Sequence, residues 1–419
     1  MDPREQRGLI IAALCKLNRK DGAWLVPSQS KSDKQYIVDP ERGTCTCPDH
    51  QEAGFCCKHV HAVRFTMKRE VGRDGTVTET KTLTFTEKKT YKQDWPAYNE
   101  AQMTEKHRFQ VLLHDLCRGV PDFPQPKTGR RHAPLSDMIF ACAFKVFSTV
   151  SSRRFACDLK DAHANGYLSE LMHSVRICWY FENPLLTPVL EKLIIQSSLP
   201  LRAVETVFAP DSTGFSTSRF TRWYDEKYGI TRSGHDWVKA HVMCGVKTNV
   251  VTAVIIEGRT ANDCPQFKPL VETTAASGFP VKEVPADKAY LSHENLELVH
   301  KLGGTAFIPF KSNSVQGEAG SLWEKMWLYY QFRREEFNPH YHQRSNAEST
   351  FSMVKAKFRD HVRSKTDVAM KNEVLCKFLC HNICCLIQSQ CELGIEPVFW
   401  GEKPAEGNPD ILTMVRPGV

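Results

Sequence analysis

The chain has 419 residues, of which 41% are hydrophobic and 25% are charged, values close to the averages of soluble globular proteins. This composition excludes wholesale disorder and a fibrous repeat, and at roughly 150 residues per domain the length predicts two or three domains. The 16 Cys are about 4% of the residues, too few for a disulfide scaffold, and the formal charge of +7 permits a nucleic-acid partner without requiring one.

The N-terminal sequence MDPREQRGLI carries charges where a secretion signal has an apolar core. No stretch approaches the roughly 20 apolar residues of a membrane span. We therefore expect a cytoplasmic protein without a membrane partner, in which clustered Cys are metal ligands or buried apolar side chains. Residues 1–95 hold 17 basic and 13 acidic side chains, so this part carries +4 of the total charge.

The composition and the periodicity of the sequence change along the chain, and these changes predict a division into domains. Short runs of β-branched and aromatic residues at 22–40 and 73–86 make 1–95 a small β-rich domain. Apolar residues then recur at helical spacing, which predicts a helical region over 96–200 that we expect to bind DNA. Residues 201–400 are predicted to form an α/β domain with a mixed sheet, and 401–419 a C-terminal tail.

The α/β domain is predicted from short apolar runs that alternate with helical patterns. The runs favour strands at 203–209, 241–246, 250–257, 281–286 and 304–310. The helical patterns lie at 265–277, 292–302, 341–360 and 373–387. In the last of these, Cys376, Cys380 and Cys384 follow at four-residue spacing, which is typical of core packing on a helix.

A cluster of Cys and His lies in the segment CTCPDHQEAGFCCKH, residues 45–59. It offers two pairs of ligands, each pair with one intervening residue: Cys45, Cys47, Cys57 and His59. Four such ligands suit a structural zinc ion, which would stabilise a domain too small to rely on core burial. The pattern Cys-x-Cys, loop, Cys-x-His resembles the SWIM zinc finger, a module that binds DNA or protein. The alternative is a reduced cluster without metal.

Three acidic residues form a second candidate site. Asp211 in FAPDSTGF and Asp287 in VPADKAYLS each follow a predicted strand, and Glu348 lies in a predicted helix. If the fold brings them together, they make an all-oxygen site suited to Mg²⁺ or Mn²⁺. Two such ions can activate a water or a 3′-hydroxyl and stabilise the leaving oxygen of a phosphodiester.

The predicted helix that carries Glu348 adds Tyr341, Arg344 and Lys355 in the spacing Tyr-x2-Arg-x3-Glu-x6-Lys. At about 100° per residue these four side chains fall within an arc of roughly 60°, on one face of the helix. The pattern is similar to the signature of prokaryotic insertion-sequence transposases with an RNase H-like DDE domain. The flanking text of Asp211 and Asp287 also resembles the two aspartate motifs of that family, and the resemblance covers about 96–390.

The resemblance implies a DNA transposase that cleaves at transposon ends and transfers the strand to target DNA. Asp211, Asp287 and Glu348 would be catalytic and would hold the two Mg²⁺ or Mn²⁺ ions, with Tyr341, Arg344 and Lys355 supporting catalysis and contacting phosphate. The implied partners are double-stranded DNA, as terminal inverted repeats and target, and further copies of the chain. The implied location is the cytoplasm of a prokaryote, at the nucleoid.

Other interpretations of the same residues stay open. Arg344 and Glu348 alone make an ordinary surface ion pair, and each aspartate alone can cap a turn or helix. A domesticated, non-catalytic DNA-binding protein and a nuclease that cuts without joining are the alternative functions. Further DNA contacts are expected from basic residues in loops and at element ends: Arg130, Arg131, Arg153, Arg154, Lys288 and Lys311.

Overall fold

The computed structural model divides the chain into two compact units, Met1–Tyr91 and Lys92–Val419, which are treated separately below. Its described residues are 3–15, 17–20, 22–29, 34–53, 56–71, 94–122, 128, 132–217, 227, 237–258 and 262–400. Among the described helices, none combines the length and the apolar character that crossing a bilayer requires. The predicted strand at 73–86 and the predicted tail at 401–419 lie outside the described residues.

The first unit contains an antiparallel sheet in the order β1-β2-β3-β4 within its described part. Its strands are β1 (Asn18–Lys20), β2 (Ala23–Pro27), β3 (Gln35–Asp39) and β4 (Thr44–Cys45). Its helices are α1 (Pro3–Leu14), α2 (Pro48–Ala53) and α3 (Lys58–Val71). Alternate residues of β2 and β3 are buried, which is the pattern of a sheet with one covered face.

The expectation of a β-rich first domain is wrong for its described part, which has more helix than strand. Ile11 of α1 and Val60 and Val63 of α3 join Trp24 and Val38 of the sheet in one buried core. The strands are too short to enclose a core of their own, so helices supply the remaining apolar surface. Val60 and Val63 are three residues apart, a helical spacing. They directly follow the loop with the Cys and His residues, and the pattern of that loop obscures the helix in the sequence.

The second unit begins with helices, as predicted for 96–200. Their bounds are α4 (Trp95–Arg118), α5 (Leu135–Ser148), α6 (Ser152–Ala164), α7 (Arg176–Phe181) and α8 (Leu186–Ser198). The Oγ of Ser151 caps α6 by accepting a hydrogen bond from the N–H of Arg154. The basic pair at 153–154 therefore lies in the first turn of a helix.

A mixed sheet follows the helices and confirms the expected α/β architecture. Its strands are β5 (Phe208–Ser216), β6 (Trp237–Gly245), β7 (Val251–Glu257), β8 (Glu283–Pro285) and β9 (Thr305–Phe307). β5, β6 and β7 are antiparallel, whereas β8 and β9 are parallel. A parallel bridge between Val207 and Glu283 sets β8 beside the start of β5. Within the described residues, β5-β6-β7 form a three-stranded antiparallel sheet and β8-β9 a two-stranded parallel one, and this bridge connects the two.

The helices of this part alternate with the strands and then complete the chain. Their bounds are α9 (Cys264–Ala276), α10 (His293–Lys301), α11 (Leu322–Phe332), α12 (Arg334–Tyr341), α13 (Ser345–Phe358) and α14 (Asp367–Leu393). The predicted strands at 241–246 and 250–257 and the predicted helices at 265–277 and 292–302 are confirmed. The predicted helix at 373–387 is confirmed and is longer than expected.

Two predicted elements differ in their bounds. β5 starts at Phe208 and continues through Asp211 to Ser216, so Asp211 lies within a strand and not at its end. The Asp, Ser and Gly residues of DSTGFS suggest a turn, but pairing of Asp211 with Val242 and Gly214 with Lys239 keeps the backbone extended. The predicted helix over 341–360 is interrupted by a 3₁₀ turn at His342–Arg344, a common connection between helices.

The core of the second unit lies on both sides of the sheet. On one side, α14 packs with α4, α5 and α8 and with β5–β7 through residues such as Phe109, Phe144, Phe215 and Phe378. On the other side, Phe208 and Met243 pack with α9, α10 and the strands β8 and β9. Cys376 and Cys380 are fully buried in the first of these clusters, which confirms their role in packing.

Candidate functional site

The strand β5 and the helix α13 approach each other closely because the residues between them are small. Ala347 packs against Ala209 of β5 and Cys244 of β6. The Nδ2 of Asn346 donates to the carbonyl of Val246 at 2.5 Å, which fixes the start of α13 against the turn after β6. Since Glu348 follows Ala347 directly and Asp211 lies two residues after Ala209, the packing brings these two acids to the same region.

Asp211 is half-buried, and its Oδ1 accepts a hydrogen bond from the N–H of Ser212 at 2.8 Å. Burial is the largest influence on this carboxyl group and raises its pKa. The negative charges of Glu348 and Asp263 raise the pKa further, whereas the Ser212 N–H and the positive charge of Arg344 lower it. Asp211 therefore lies within electrostatic range of Arg344 and Glu348.

Asp287 lies two residues after the end of β8, as predicted, and precedes the 3₁₀ turn Lys288–Tyr290. Burial favours the neutral form of Arg344. The pKa of Arg344 is nevertheless raised, by Tyr341 and by the negative charges of Asp287 and Glu348. The three predicted acids thus surround Arg344 electrostatically. Among the described residues, these three acids are not placed as one group of metal ligands.

Arg344 connects the residues of the predicted signature. Its Nη2 lies 3.2 Å from Oε1 of Glu348, and its Nε donates to the hydroxyl oxygen of Tyr341 at 3.2 Å. Lys355 lies farther along α13, with its Nζ 5.7 Å from the centre of the Phe215 ring, and burial lowers the pKa of this lysine. The structure therefore links Tyr341, Arg344 and Glu348 directly and directs Lys355 toward β5.

The sequence analysis missed a fourth acidic residue beside the site. Asp263 pairs with Nζ of Lys239 at 2.8 Å and lies 3.4 Å from Nδ1 of His241, which is fully buried. Ion pairing with Lys239 and a hydrogen bond from Ser212 lower the pKa of Asp263 although burial opposes this. In the sequence, Asp263 stands just before a Cys-Pro helix start, a position typical of a helix cap. In the structure, its side chain makes no capping hydrogen bond.

Tyr290 also belongs to this region. Its side chain is 1% exposed, so it cannot reach a phosphate in solvent, and its hydroxyl has no hydrogen-bond partner among the described residues. Burial raises the pKa of Tyr290, and the charges of Asp263, Asp211 and Asp287 raise it further. The Tyr290 ring packs against the ring of Phe267, with centroids 5.7 Å apart.

The basic residues expected to contact DNA are distributed over several elements. Arg153 and Arg154 are exposed on α6, Lys288 is exposed beside Asp287, and Lys311 is exposed after β9. Arg130 and Arg131 lie outside the described residues.

In the first unit, Cys45, Cys47, Cys57 and His59 lie together, with ligand atoms all within 4.8 Å of one another and all four side chains buried. Cys45 is the last residue of β4 and Cys47 follows it, whereas Cys57 directly precedes α3 and His59 lies in the first turn of α3. His59 Nδ1 lies 3.8 Å from Sγ of Cys45 and 3.9 Å from Sγ of Cys57. A tetrahedral zinc ion with ordinary bond lengths separates such atoms by about 3.6 Å, so the four residues fit zinc.

The electrostatics of this cluster favour a bound cation. The hydrogen bond from the thiol of Cys45, with one from His59, lowers the pKa of Cys57 against the effect of burial. A lowered thiol pKa favours the thiolate, which is the form that binds metal. The ring of Tyr36 packs on His59 with centroids 4.8 Å apart and limits the ring to one orientation.

Comparison with known proteins bears on the second unit. Residues 202–383 match the family described as the transposase DDE domain. This segment contains Asp211, Asp287, Glu348 and the residues around Arg344, and the match supports a transposase. No curated protein matches the chain. The solved structures include a cryo-EM structure of the piggyBac transposase synaptic complex with hairpin DNA, at a TM-score of 0.36 and 11% identity, covering 71% of this chain and 79% of that one.

Proposed function

We propose that the protein is a DNA transposase that cleaves DNA at transposon ends and transfers the strand to target DNA. The observation that carries the proposal is the match of residues 202–383 to a transposase DDE domain, a segment in which Asp211, Asp287 and Glu348 each interact electrostatically with Arg344. Neither an isolated surface ion pair nor a set of separate helix caps accounts for three acids that act on one guanidinium.

Asp211, Asp287 and Glu348 would hold two Mg²⁺ or Mn²⁺ ions, because their donor set is all oxygen. Bound ions of this kind supply charge stabilisation at the phosphate and activation of a hydroxyl. The protein positions both residues: pairing with Val242 of β6 holds Asp211 in β5, and the packing of Ala347 holds the neighbouring Glu348. The unequal burial of Asp211 and Glu348 supports different roles for the two carboxylates in the reaction.

Arg344 acts in this proposal as the counter-charge of the acids and as a phosphate ligand. Its Nη2 faces Glu348, and the Tyr341 hydroxyl holds the Nε side, so the guanidinium plane is fixed by two partners. A planar guanidinium in a fixed orientation can bind two phosphate oxygens at once. Lys355, on the same helix, would contact the phosphate backbone farther along the strand.

The remaining assignments follow from the same proposal. The mixed sheet with acids on β5, after β8 and on α13 supports an RNase H-like catalytic domain over 201–400. The Cys3His cluster supports a SWIM-type zinc finger in 1–95 that holds one structural Zn²⁺. We further propose that the helical region at 96–200 contacts terminal repeats, that several copies act together on double-stranded DNA, and that the protein works at a prokaryotic nucleoid.

The proposal is tested by excision in cells. The gene is supplied with its native flanking DNA, and loss of the element from a reporter is compared for the wild-type protein, Glu348→Gln and the control Glu336→Gln. Glu336 forms a similar exposed ion pair with Arg333, at 2.8 Å, outside the site. We expect excision with the wild type and with Glu336→Gln but not with Glu348→Gln.

Product analysis separates the alternative functions. A nuclease on the same fold would give broken ends without any strand-transfer product. A domesticated DNA-binding protein would bind the flanks but leave them uncut in all variants. Either outcome would replace transposition as the function of this site.

A further inference from the structure

A cavity of about 440 Å³ lies in the second unit at the C-terminal end of α13, away from the acids. Its walls are formed by α5, α7 and α14, by the first residues of α6 and the last residue of α13, and by the segment that joins α13 to α14. The apolar floor includes Val146, Ile177 and Phe358. Most of the charged side chains that line it are cationic: Lys145, Arg359, Arg363, Lys365 and Lys377.

Two of these cations are buried, which is costly unless a negative charge compensates them. Lys145 is 9% exposed and Lys377 is 1% exposed. The Nζ of Lys145 donates to the carbonyl of Val150 at 2.5 Å, and the Nζ of Lys377 donates to the carbonyls of Arg359 at 2.9 Å and His361 at 2.7 Å. Carbonyl oxygens satisfy hydrogen bonds but cancel no charge.

The cavity lining holds fewer acidic than basic side chains. Glu373, 8% exposed, is the buried acid of the lining, and its oxygens accept hydrogen bonds from the N–H groups of Arg363 and Ser364 at 2.8–3.0 Å. Glu182 lines the cavity from an exposed position. Burial lowers the pKa of both Lys145 and Lys377 to about 8, and Arg363 and Arg359 add to the effect, whereas Glu373 opposes it at both lysines and Asp360 opposes it at Lys377. Positive charge is therefore in excess.

The first turn of α6 adds hydrogen-bond donors to the same cavity. Ser151 and Ser152 are part of its lining, and the N-terminus of this 13-residue helix directs backbone N–H groups and the positive end of its dipole there. An anion with several oxygens fits a cavity that offers Arg, Lys and backbone donors together. Phosphate is the anion of this kind that a DNA-processing protein meets.

The cavity is connected to the acidic site by two elements. The N–H of Ser216, at the end of β5, donates to Asp360 at 3.0 Å, and the N–H of Val362 donates back to Ser216 at 2.9 Å. Along β5 from Asp211 to Ser216, and along α13 from Glu348 to Arg359, the separation is about 16 Å. At 3.4 Å per nucleotide along one strand of a duplex, this corresponds to roughly five nucleotides.

We propose that this cavity binds a backbone phosphate of the DNA strand whose reacting phosphate lies at Asp211, Asp287 and Glu348. The excess of buried positive charge argues for an anion independently of the proposed function, whereas the choice of DNA as its source rests on that function. The site would fix the register of the strand about half a helical turn from the reaction.

A native thiol allows the test without altering the fold. Cys178 is exposed and lines the cavity, whereas Cys157 is exposed on α6 outside the lining. N-ethylmaleimide modification of both thiols is followed by peptide mass spectrometry in the full chain, with a duplex from the element's flanks at ten times its Kd. We expect Cys178 to react about tenfold more slowly while Cys157 keeps its rate. An unchanged Cys178 rate with bound DNA overturns the proposal.

A second measurement distinguishes DNA from free phosphate. Lys365→Gln, an exposed position of the lining, is compared with Lys301→Gln on α10 for DNA affinity as a function of salt. Loss of one phosphate contact reduces the slope of log K against log salt by about 0.9. Unchanged slope combined with protection of Cys178 by inorganic phosphate alone would assign the cavity to a free phosphate and overturn the DNA assignment. Protection by DNA without any cleavage would count against the proposed function only.

Discussion

The guanidinium of Arg344 lies 3.2 Å from the carboxylate of Glu348. The charge of Asp287 raises the pKa of Arg344, and the charge of Arg344 lowers the pKa of Asp211. An exposed ion pair between residues four apart on a helix contributes only about 0.3–0.5 kcal/mol to stability. The position of this pair, between two elements that carry further acids, supports the proposed role in DNA binding or catalysis.

Replacing Arg344 by Gln is therefore expected to separate activity from stability. DNA cleavage should fall by roughly 10²–10³, as when one electrostatic group is removed from an active site. The free energy of unfolding should change by less than about 1 kcal/mol. The matched control is Arg333→Gln, which removes an ion pair with Glu336 at 2.8 Å and should leave cleavage unchanged. Equal cleavage by both variants would assign Arg344 to surface structure.

Asp211→Asn should inactivate the protein and at the same time stabilise it. Because burial raises the pKa of Asp211, the folded state binds this proton more tightly than the unfolded state does. The ionised carboxylate therefore costs stability as pH rises above about 3.9, the ordinary value, through the folded value. Urea unfolding at pH 4.5 and pH 8 should show the advantage of Asn growing with pH. An advantage that shrinks with pH would contradict the burial argument.

The Cys3His cluster predicts one zinc ion per chain and a first unit that depends on it. Chelation, or Cys57→Ser, should release zinc and lower the melting temperature of this unit, because the ligands connect the end of the sheet to α3. Cys56→Ser, the adjacent residue outside the four-residue cluster, serves as the control and should retain zinc. Zinc content by elemental analysis is the readout. A full zinc content in Cys57→Ser would exclude this ligand set.

His381 predicts an acid-sensitive core. It is 4% exposed on α14, its Nε2 donates to the carbonyl of Asn249 at 2.8 Å, and burial lowers its pKa to about 4. Between pH 6.5 and pH 4 the unfolded chain binds this proton and the folded chain does not, so stability falls as pH falls. The loss over this window is roughly 3 kcal/mol. Relative to wild type, His381→Gln should have a flatter profile of unfolding free energy against pH.

The sequence predicted much of the α/β architecture because strands such as β7 and helices such as α10 have regular apolar periods. It did not predict that β5 continues through Asp211, since DSTGFS contains turn residues and is held extended by pairing with β6, far along the chain. Asp263 escaped notice for a similar reason. Its partners Lys239 and His241 lie on β6, and nothing local distinguishes it from a helix cap.

The candidate acids themselves were predicted from their flanking motifs, and the structure brings them into electrostatic contact. The sequence could not show how α13 comes close to the sheet. The small side chains of Ala209, Cys244 and Ala347 allow this helix to pack tightly there. Small side chains carry little periodic signal and gain meaning only when two distant elements meet. The cationic cavity is a further example, since its lining comes from five helices and the segments between them.

The most direct test of the account is cleavage and strand transfer by the purified protein on a duplex from the element's end, in Mg²⁺ and in Mn²⁺. Wild type, Asp287→Asn, Glu348→Gln and the control Glu336→Gln are compared after each is shown to bind the duplex. The account predicts that the wild type and Glu336→Gln cleave and join, and that the two site variants bind DNA but do neither. Cleavage by Glu348→Gln at the wild-type rate would contradict it.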